Sequence, residues 1–149
     1  MVEAVNDFDR GALRAELARD EGRVSHAYTD SLGYWTIGVG HLIDRRRGGR
    51  LPDPIIDALL DGDIEEKAND LDANIPWWRN LDDVRQRVLL NMCFNMGWGG
   101  LSGFAHTLQA IKERRWADGA SGMRSSLWAK QVPERAERLA KAMASGVMP

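Results

Sequence analysis

The stretch Glu21-Gly-Arg-Val-Ser-His-Ala-Tyr-Thr-Asp30-Ser-Leu-Gly-Tyr-Trp-Thr36-Ile-Gly-Val-Gly-His41 decides how the rest of the chain is arranged. Before it, Leu13 and Leu17 stand four residues apart, and Glu21 continues the same helical spacing. Gly22 follows at once, and glycine is the residue that most often ends a helix. The sequence therefore predicts a first helix whose apolar face ends in a carboxylate.

Two β-strands are predicted inside this stretch, at residues 25–29 and 34–39. Aromatic and β-branched side chains are enriched in both segments, as is typical of strands. The residues between them, Asp30-Ser-Leu-Gly33, are typical of a turn. We interpret the stretch as a helix end that leads into a β-hairpin, with a carboxylate at each junction.

Helices are predicted for most of the remaining chain. Asp53-Pro54 is a strong helix start, and apolar residues keep helical spacing from there to Ile75. A buried helix is expected from Asp82 or Asp83 to Gly97, and its polar Asn91 and Asn95 lie on one face. After a loop at 97–100, helical pieces are expected at 104–116, 117–126 and 133–145. Trp116 and Trp128 are predicted core residues, and Arg135, Arg138 and Lys141 a basic stripe.

These elements predict an α+β fold in a single domain of 149 residues. We expect a small N-terminal lobe with the β-hairpin at about 1–60, whose first helix packs on the second lobe. A long helix at about 54–75 connects it to a mainly helical C-terminal lobe at about 76–149. A helix of that length in so small a domain is typical of a connection between two lobes.

The composition excludes several classes of protein. With 44% apolar and 28% charged residues and a net charge of −2, the chain is typical of a globular protein and not of a nucleic-acid binder. Residues 1–77 contain nine basic and sixteen acidic side chains, whereas residues 78–149 contain eleven and six. The basic half could attract an anionic polymer, or both sets could simply be solvated helix faces.

The sequence also argues against an internal disulfide, a membrane helix, a signal peptide and a metal site. The single cysteine, Cys93, excludes an internal disulfide, and its apolar neighbours predict a buried side chain rather than a nucleophile. No apolar run approaches the ~18–20 residues of a membrane helix, and the N-terminus is unlike a signal peptide. His26, His41 and His106 lack the spacing of metal ligands. We therefore expect cytosolic synthesis, no membrane insertion, no metal and no cofactor.

The two carboxylates of the opening stretch suit glycoside hydrolysis. That reaction needs one protonated carboxyl group to donate to the leaving oxygen and one ionised carboxylate on the other side of the sugar. An apolar helix face favours the neutral form of Glu21, and an open turn favours the ionised form of Asp30. Thr36 follows on the returning strand and could hold a water with Asp30. From spacing alone, a Glu21 that simply turns to solvent fits equally well.

Several motifs also resemble a known family. They are Ala18-Arg-Asp-Glu21-Gly, Ala27-Tyr-Thr-Asp30 and Gly33-Tyr-Trp-Thr36-Ile-Gly-Val-Gly-His41-Leu, followed by Asn91-Met-Cys-Phe-Asn-Met-Gly97 and Gln131-Val-Pro-Glu-Arg135. These segments resemble the phage-type lysozymes, the glycoside hydrolase family that includes the lysozyme of the T-even bacteriophages. The resemblance implies a lysozyme-like fold with a cleft between the two lobes.

Catalytic roles follow from the resemblance position by position. Glu21 is implied to be the general acid, and Asp30 with Thr36 to place the attacking water, mostly with inversion. Arg135 matches an arginine that lies against the catalytic glutamate in the family. His41 matches a histidine that pairs with an aspartate on the long helix, here Asp63, in a structural role.

Further residues are implied to contact the sugar chain. They are Leu42, Phe94, Asn95 and Thr107. Here the chain departs from the best-known family member, which has a longer amide and a serine where this chain has Asn95 and Thr107. A further asparagine that contacts substrate in that protein is replaced near Gly122. These differences affect the fine contacts with the sugar chain and leave the three catalytic positions unchanged.

The resemblance implies a monomeric lysozyme that cleaves the bond from N-acetylmuramic acid to N-acetylglucosamine in peptidoglycan. As a phage endolysin it would depend on a holin to pass from the host cytoplasm to the cell wall. Two alternatives stay open: a virion-associated muramidase that penetrates the wall, and an inactive wall-binding module on the same fold. An anhydro-forming transglycosylase is also compatible with these residues.

Overall fold

The computed structural model describes the backbone of residues 7–29, 35–38, 41–42 and 51–149, and the side chains of residues 7–23 and 51–149. The elements in chain order are α1 (Arg10–Glu21), β1 (Val24–Thr29), β2 (Trp35–Gly38), β3 (His41–Leu42), α2 (Asp53–Asn74), a 3-10 helix (Pro76–Asn80), α3 (Asp83–Leu101), α4 (Ala105–Lys112), α5 (Trp116–Arg124), α6 (Leu127–Gln131) and α7 (Pro133–Ser145). They form two compact units, here named the N-terminal unit (Arg10–Glu66) and the C-terminal unit (Lys67–Pro149 with the described residues before Arg10). The predicted single domain, with lobes at about 1–60 and 76–149, stays a prediction.

The expected α+β class with a β-hairpin lobe is wrong, because the fold is mainly helical. Among the residues whose side chains are described, 80% are helical and none lies in a strand. The strand residues are described by their backbone alone, and β1, β2 and β3 contain only six, four and two of them. They pair antiparallel in the order β1-β2-β3, so the sheet has a third strand that the sequence did not predict. The aromatic run at 25–39 favours extended backbone, but propensity does not predict how large a sheet will be.

The first helix ends where the sequence predicted. Leu13 and Leu17 are fully buried, as expected for one helical face. At the end of α1, Gly22 adopts φ 77°, and its N–H donates to the carbonyl oxygen of Ala18 at 3.0 Å. This left-handed conformation is favourable for glycine and ends the helix directly after Glu21.

The long helix α2 is confirmed over 22 residues. Five of its apolar residues recur at helical spacing and are at most 2% exposed: Ile56, Leu60, Ile64, Ala68 and Leu71. The helical period of the sequence was a reliable signal here because one continuous face of the helix is buried.

Helix α3 is the most buried element of the C-terminal unit. The side chain of Asp82 accepts a hydrogen bond from the backbone N–H of Arg85 and caps the helix, as predicted. Gly97 has φ 72° and interrupts the helix at the predicted position. The predicted loop at 97–100 is wrong, because a further helical turn follows in which the N–H of Ser102 donates to the carbonyl of Trp98 at 2.7 Å.

The C-terminal helices pack around α5, which contacts both α4 and α7, and α7 also contacts α3. The short helix α6 was not predicted; the hydroxyl of Ser126 caps it by accepting from the N–H of Ala129. Trp128 is only 6% exposed, which confirms it as a core residue. Trp116 is half-buried, with the guanidinium of Arg85 lying 3.9 Å from its ring centre.

Two further observations concern charge and hydropathy. The basic residues at three-residue spacing on α7 differ in exposure, because Arg135 is 8% exposed, Arg138 is partly buried and Lys141 is exposed. Among the described helices, none is long and apolar enough to cross a bilayer.

Candidate functional site

Glu21 lies at the boundary between the core of the N-terminal unit and solvent. It is the last residue of α1, one turn after the fully buried Leu17, and its own side chain is half-buried. The left-handed Gly22 then turns the chain away from the helix axis. A carboxyl group in this position follows the apolar face of the helix and is partly exposed to solvent.

The strand backbone brings two further predicted residues opposite each other. Thr36 in β2 pairs with Leu42 in β3 and, on its other side, with Tyr28 in β1. Thr29, the last residue of β1, pairs with Trp35, directly before Thr36. Thr36 and Leu42 therefore occupy one line across the sheet.

Four of the predicted site residues fall partly or wholly outside the described residues, and of Thr36 and Leu42 only the backbone is described. Asp30 lies outside the described residues altogether. His41 pairs with Ile37 through the backbone, but its side chain lies outside them. Asp63 is described and half-buried on α2, and its predicted pairing with His41 stays a prediction.

Ion pairs connect α1 and the residues just after it to α2. Arg10 lies 3.3 Å from Glu65, Arg14 pairs with Asp61, and Arg23 lies 2.7 Å from Asp57. On α2 the acidic partners recur every four residues and therefore share one face. The hydrogen bond from Arg23 holds the pKa of Asp57 below its ordinary value, and the bond from Arg14 to Asp61 raises the pKa of that arginine.

In the C-terminal unit, Arg135 and Asn91 form a buried polar pair. The Nε of Arg135 donates to Oδ1 of Asn91 at 2.9 Å, and the two residues are 8% and 1% exposed. Buried amides need partners, and α7 supplies one for α3. The predicted contact of Arg135 with Glu21 stays a prediction.

A second polar bond lies one turn further along α3. The indole Nε1 of Trp128 donates to Oδ1 of Asn95 at 2.7 Å. The ring of Phe104 meets the Trp128 ring edge-on, with centroids 6.2 Å apart. Phe94, between the two asparagines, is half-buried. The sequence indicated Asn95 and Phe94 as ligand contacts but assigned Trp128 only to the core.

Phe104 and Trp128 line a cavity of about 550 Å³ in the C-terminal unit. Its lining includes Phe104, His106, Thr107, Gly122, Ser126, Trp128 and Gln131. It includes no Asp, Glu, Lys or Arg, so the cavity presents aromatic surface with hydroxyl, imidazole and amide groups. Such a lining suits an uncharged polar ligand.

Thr107 and Gly122 determine one wall of this cavity. A Cβ atom added at Gly122 would lie 2.1 Å from Oγ1 of Thr107, far inside contact distance. Thr107 itself is 7% exposed and has little room to move. Thr107 therefore occupies the space that a side chain at position 122 would need.

Gly122→Ala is expected to lower the free energy of unfolding by about 1–3 kcal/mol, because the methyl group overpacks against Thr107. In a Thr107→Ala background the same change should be nearly neutral. The hydroxyl group that obstructs the methyl group is then absent, and the ~1 kcal/mol by which a helix interior favours alanine over glycine offsets the remaining overpacking. Urea denaturation of the single and double variants measures both values. Gly62→Ala in α2 is the matched control, because a Cβ there meets nothing within 4 Å. An equal loss in both backgrounds would show that Thr107 is not the obstacle.

Cysteine and metal chemistry are not features of the described residues. Burial raises the pKa of the Cys93 thiol to about 11, so the thiolate is scarce at neutral pH. This confirms the prediction of a buried side chain. Within the described ranges, no group of three or more His, Cys, Asp or Glu side chains could hold a metal ion.

Comparison with known proteins gives one family match and several relatives. A family profile described as phage lysozyme matches residues 18–142. The chain is 29% identical to a probable T4-type lysozyme 1 of Dictyostelium discoideum, over 92% of this chain and 96% of that protein. It is 29% identical to the pre-baseplate central spike protein Gp5 of Enterobacteria phage T4, over 95% of this chain and 29% of that one. It is 32% identical to a peptidoglycan hydrolase, gp36, of Pseudomonas phage phiKMV, over 88% of this chain and 15% of the relative. The matched segment includes Glu21, Thr36, Asn95 and Arg135.

Proposed function

The chain belongs to the phage lysozyme family, and from this premise we propose that it cleaves the β-1,4 bond between N-acetylmuramic acid and N-acetylglucosamine with Glu21 as the general acid. Family membership makes it a glycosidase that degrades peptidoglycan, which confirms the resemblance seen in the sequence. The bond that is cleaved and the residues that cleave it are the proposal.

The observation that carries the proposal is the position of Glu21. It is a half-buried carboxyl group at the end of a helix whose preceding face, Leu13 and Leu17, is fully buried. A general acid must come within hydrogen-bond reach of the glycosidic oxygen, and the partial exposure of Glu21 allows that approach.

The proposed mechanism uses three residues of the N-terminal unit. Glu21 donates its proton to the glycosidic oxygen while the bond from that oxygen to C1 breaks, which leaves positive charge on the sugar ring. Asp30, ionised, stabilises that charge and accepts a proton from the water that attacks C1. Thr36 holds this water with its hydroxyl. Attack from the face opposite the leaving group inverts the configuration at C1.

Substrate contacts are proposed for both units. In the N-terminal unit, Leu42 lies opposite Thr36 in the sheet backbone. In the C-terminal unit, Phe94 offers an apolar face, Asn95 its amide N–H groups, and Thr107 a wall of the uncharged cavity. Because Oδ1 of Asn95 accepts from Trp128, the orientation of that amide is determined before substrate binds.

The nature of the products tests this chemistry. Purified peptidoglycan digested to completion should yield fragments that end in a reducing N-acetylmuramic acid, detected by mass spectrometry. Early in the reaction, NMR should show the α-anomer, because inversion acts on a β-linked sugar. Fragments one water lighter would identify an anhydro-forming transglycosylase instead, and an initial β-anomer would identify retention.

The biological role proposed is that of an endolysin, a monomer that reaches the wall through openings made by a holin. The similarity to a central spike protein of phage T4 favours a second candidate, a muramidase carried by the virion. Detecting the protein in purified phage particles would assign the second role, and its accumulation in the host cytoplasm until lysis would assign the first.

A further inference from the structure

The connection between the proposed acid and the sheet is very short. Only Gly22 and Arg23 separate Glu21, the end of α1, from Val24, the start of β1. Gly22 is left-handed, so the backbone changes direction directly after the catalytic position. The last carbonyl groups of a helix have no partners within the helix, and the turn that carries Glu21 therefore depends on contacts made from outside.

We infer that Arg23 is a positioning residue, which holds the end of α1, and with it Glu21, against the first turn of α2. Its Nη1 lies 2.7 Å from Oδ1 of Asp57, and its Nη2 lies 3.7 Å from Oδ1 of Asp53. Asp53 begins α2 and Asp57 follows one turn later, so a single planar guanidinium spans that turn. This inference rests on the proposed role of Glu21.

The other two ion pairs show why Arg23 differs from its neighbours. Arg14 and Arg10 lie within α1 and pair with Asp61 and Glu65, so they join helix bodies that backbone hydrogen bonds already hold. Arg23 lies after the helix has ended. Loss of Arg10 or Arg14 leaves the turn around Glu21 intact, whereas loss of Arg23 releases the segment that leaves that turn.

The pKa shifts of Arg23 and Asp57 agree with the short distance between their side chains. The hydrogen bond to Asp57 is the largest influence on Arg23 and raises its pKa, and the same bond lowers the pKa of Asp57. Both groups are therefore charged at neutral pH.

The expected consequence is kinetic rather than thermodynamic. Both side chains are more than a third exposed, and exposed ion pairs contribute little to folding. Catalysis is more sensitive, because a displacement of about 1 Å of a reacting group can lower turnover by about 10²-fold. Removing the tether should therefore lower kcat much more than it lowers stability.

The test compares Arg23→Ala with Arg10→Ala, which removes an ion pair of the same row at its far end. On solubilised peptidoglycan, Arg23→Ala should lower kcat by about 10- to 100-fold with KM within about twofold. Arg10→Ala should leave kcat within about twofold at a similar melting temperature. Arg23→Lys should recover part of kcat, since one cation can still reach Asp57 but cannot bridge two carboxylates.

A double variant separates positioning from a general loss of structure. If Asp57 is the anchor, Arg23→Ala combined with Asp57→Ala should have the kcat of Arg23→Ala alone. Wild-type kcat in Arg23→Ala, or equal losses in Arg23→Ala and Arg10→Ala, would overturn the inference. The proposed function is judged separately, by the activity of Glu21→Gln and by the products formed from peptidoglycan.

Discussion

Glu21→Gln is expected to lower the rate of peptidoglycan hydrolysis by about 10²–10⁴-fold, the usual contribution of a general acid. Glutamine keeps the shape of the side chain but carries no proton that it can donate to the leaving oxygen. Since Glu21 is half-buried at a helix end, the change should leave the free energy of unfolding within about 0.5 kcal/mol. Clearing of purified cell walls measures the first effect and thermal denaturation the second.

Asp20→Asn is the matched control for this experiment. It removes the same charge one residue earlier and leaves Glu21 in place. Walls should be cleared at nearly the wild-type rate by Asp20→Asn. If Glu21→Gln retained more than a tenth of the wild-type rate, another group would have to supply the proton.

The helices were predictable where one face is buried over several turns. In α2 the apolar residues at helical spacing from Ile56 to Leu71 lie in the core, so the period of the sequence and the period of burial coincide. The helix ends at Gly22 and Gly97 were predictable for a different reason. Each adopts a positive φ, and glycine marks such positions in the sequence.

The errors arose where a residue type allows more than one local structure. The glycines at 97–100 correctly predicted a break, but composition did not show that a helical turn follows the break. The strand β3 has two residues, too few to show any period. The aromatic residues at 25–39 led us to expect an α+β fold, whereas helices dominate the described side chains.

Candidate site residues were predictable from motifs, but their partners were not. Asn91 and Asn95 were expected on one face of the buried helix, and their Oδ1 atoms accept from Arg135 and Trp128. The members of these pairs lie 44 and 33 residues apart in the chain. Charge patterning showed Arg135 only as part of a basic stripe, because a single sequence does not show which partner a buried cation has.

Trp78 is a core residue whose partners could likewise not be predicted from the sequence. Its replacement has the largest expected effect on stability. The sequence analysis did not single it out, yet it is completely buried in the 3-10 helix that follows α2. Its Nε1 donates to Oδ1 of Asp72 at 2.8 Å. The Arg79 guanidinium lies 4.3 Å from the centre of its ring, and the centroid of the Phe8 ring lies 6.1 Å from that of Trp78. Trp78→Ala should therefore lower the free energy of unfolding by about 3–5 kcal/mol, measured by urea denaturation.

Trp78→Phe separates the packing of the ring from its hydrogen bond. Phenylalanine keeps most of the buried surface but cannot donate to Asp72, so we expect a loss of about 1–2 kcal/mol at pH 7. The bond from Arg79, followed by that from Trp78, lowers the pKa of Asp72. The stabilisation from this carboxylate is present above its unfolded-state pKa and is lost as the pH falls through the lowered folded-state pKa. The difference between Trp78→Phe and wild type should therefore shrink with falling pH, and a difference independent of pH would show that the loss comes from packing alone.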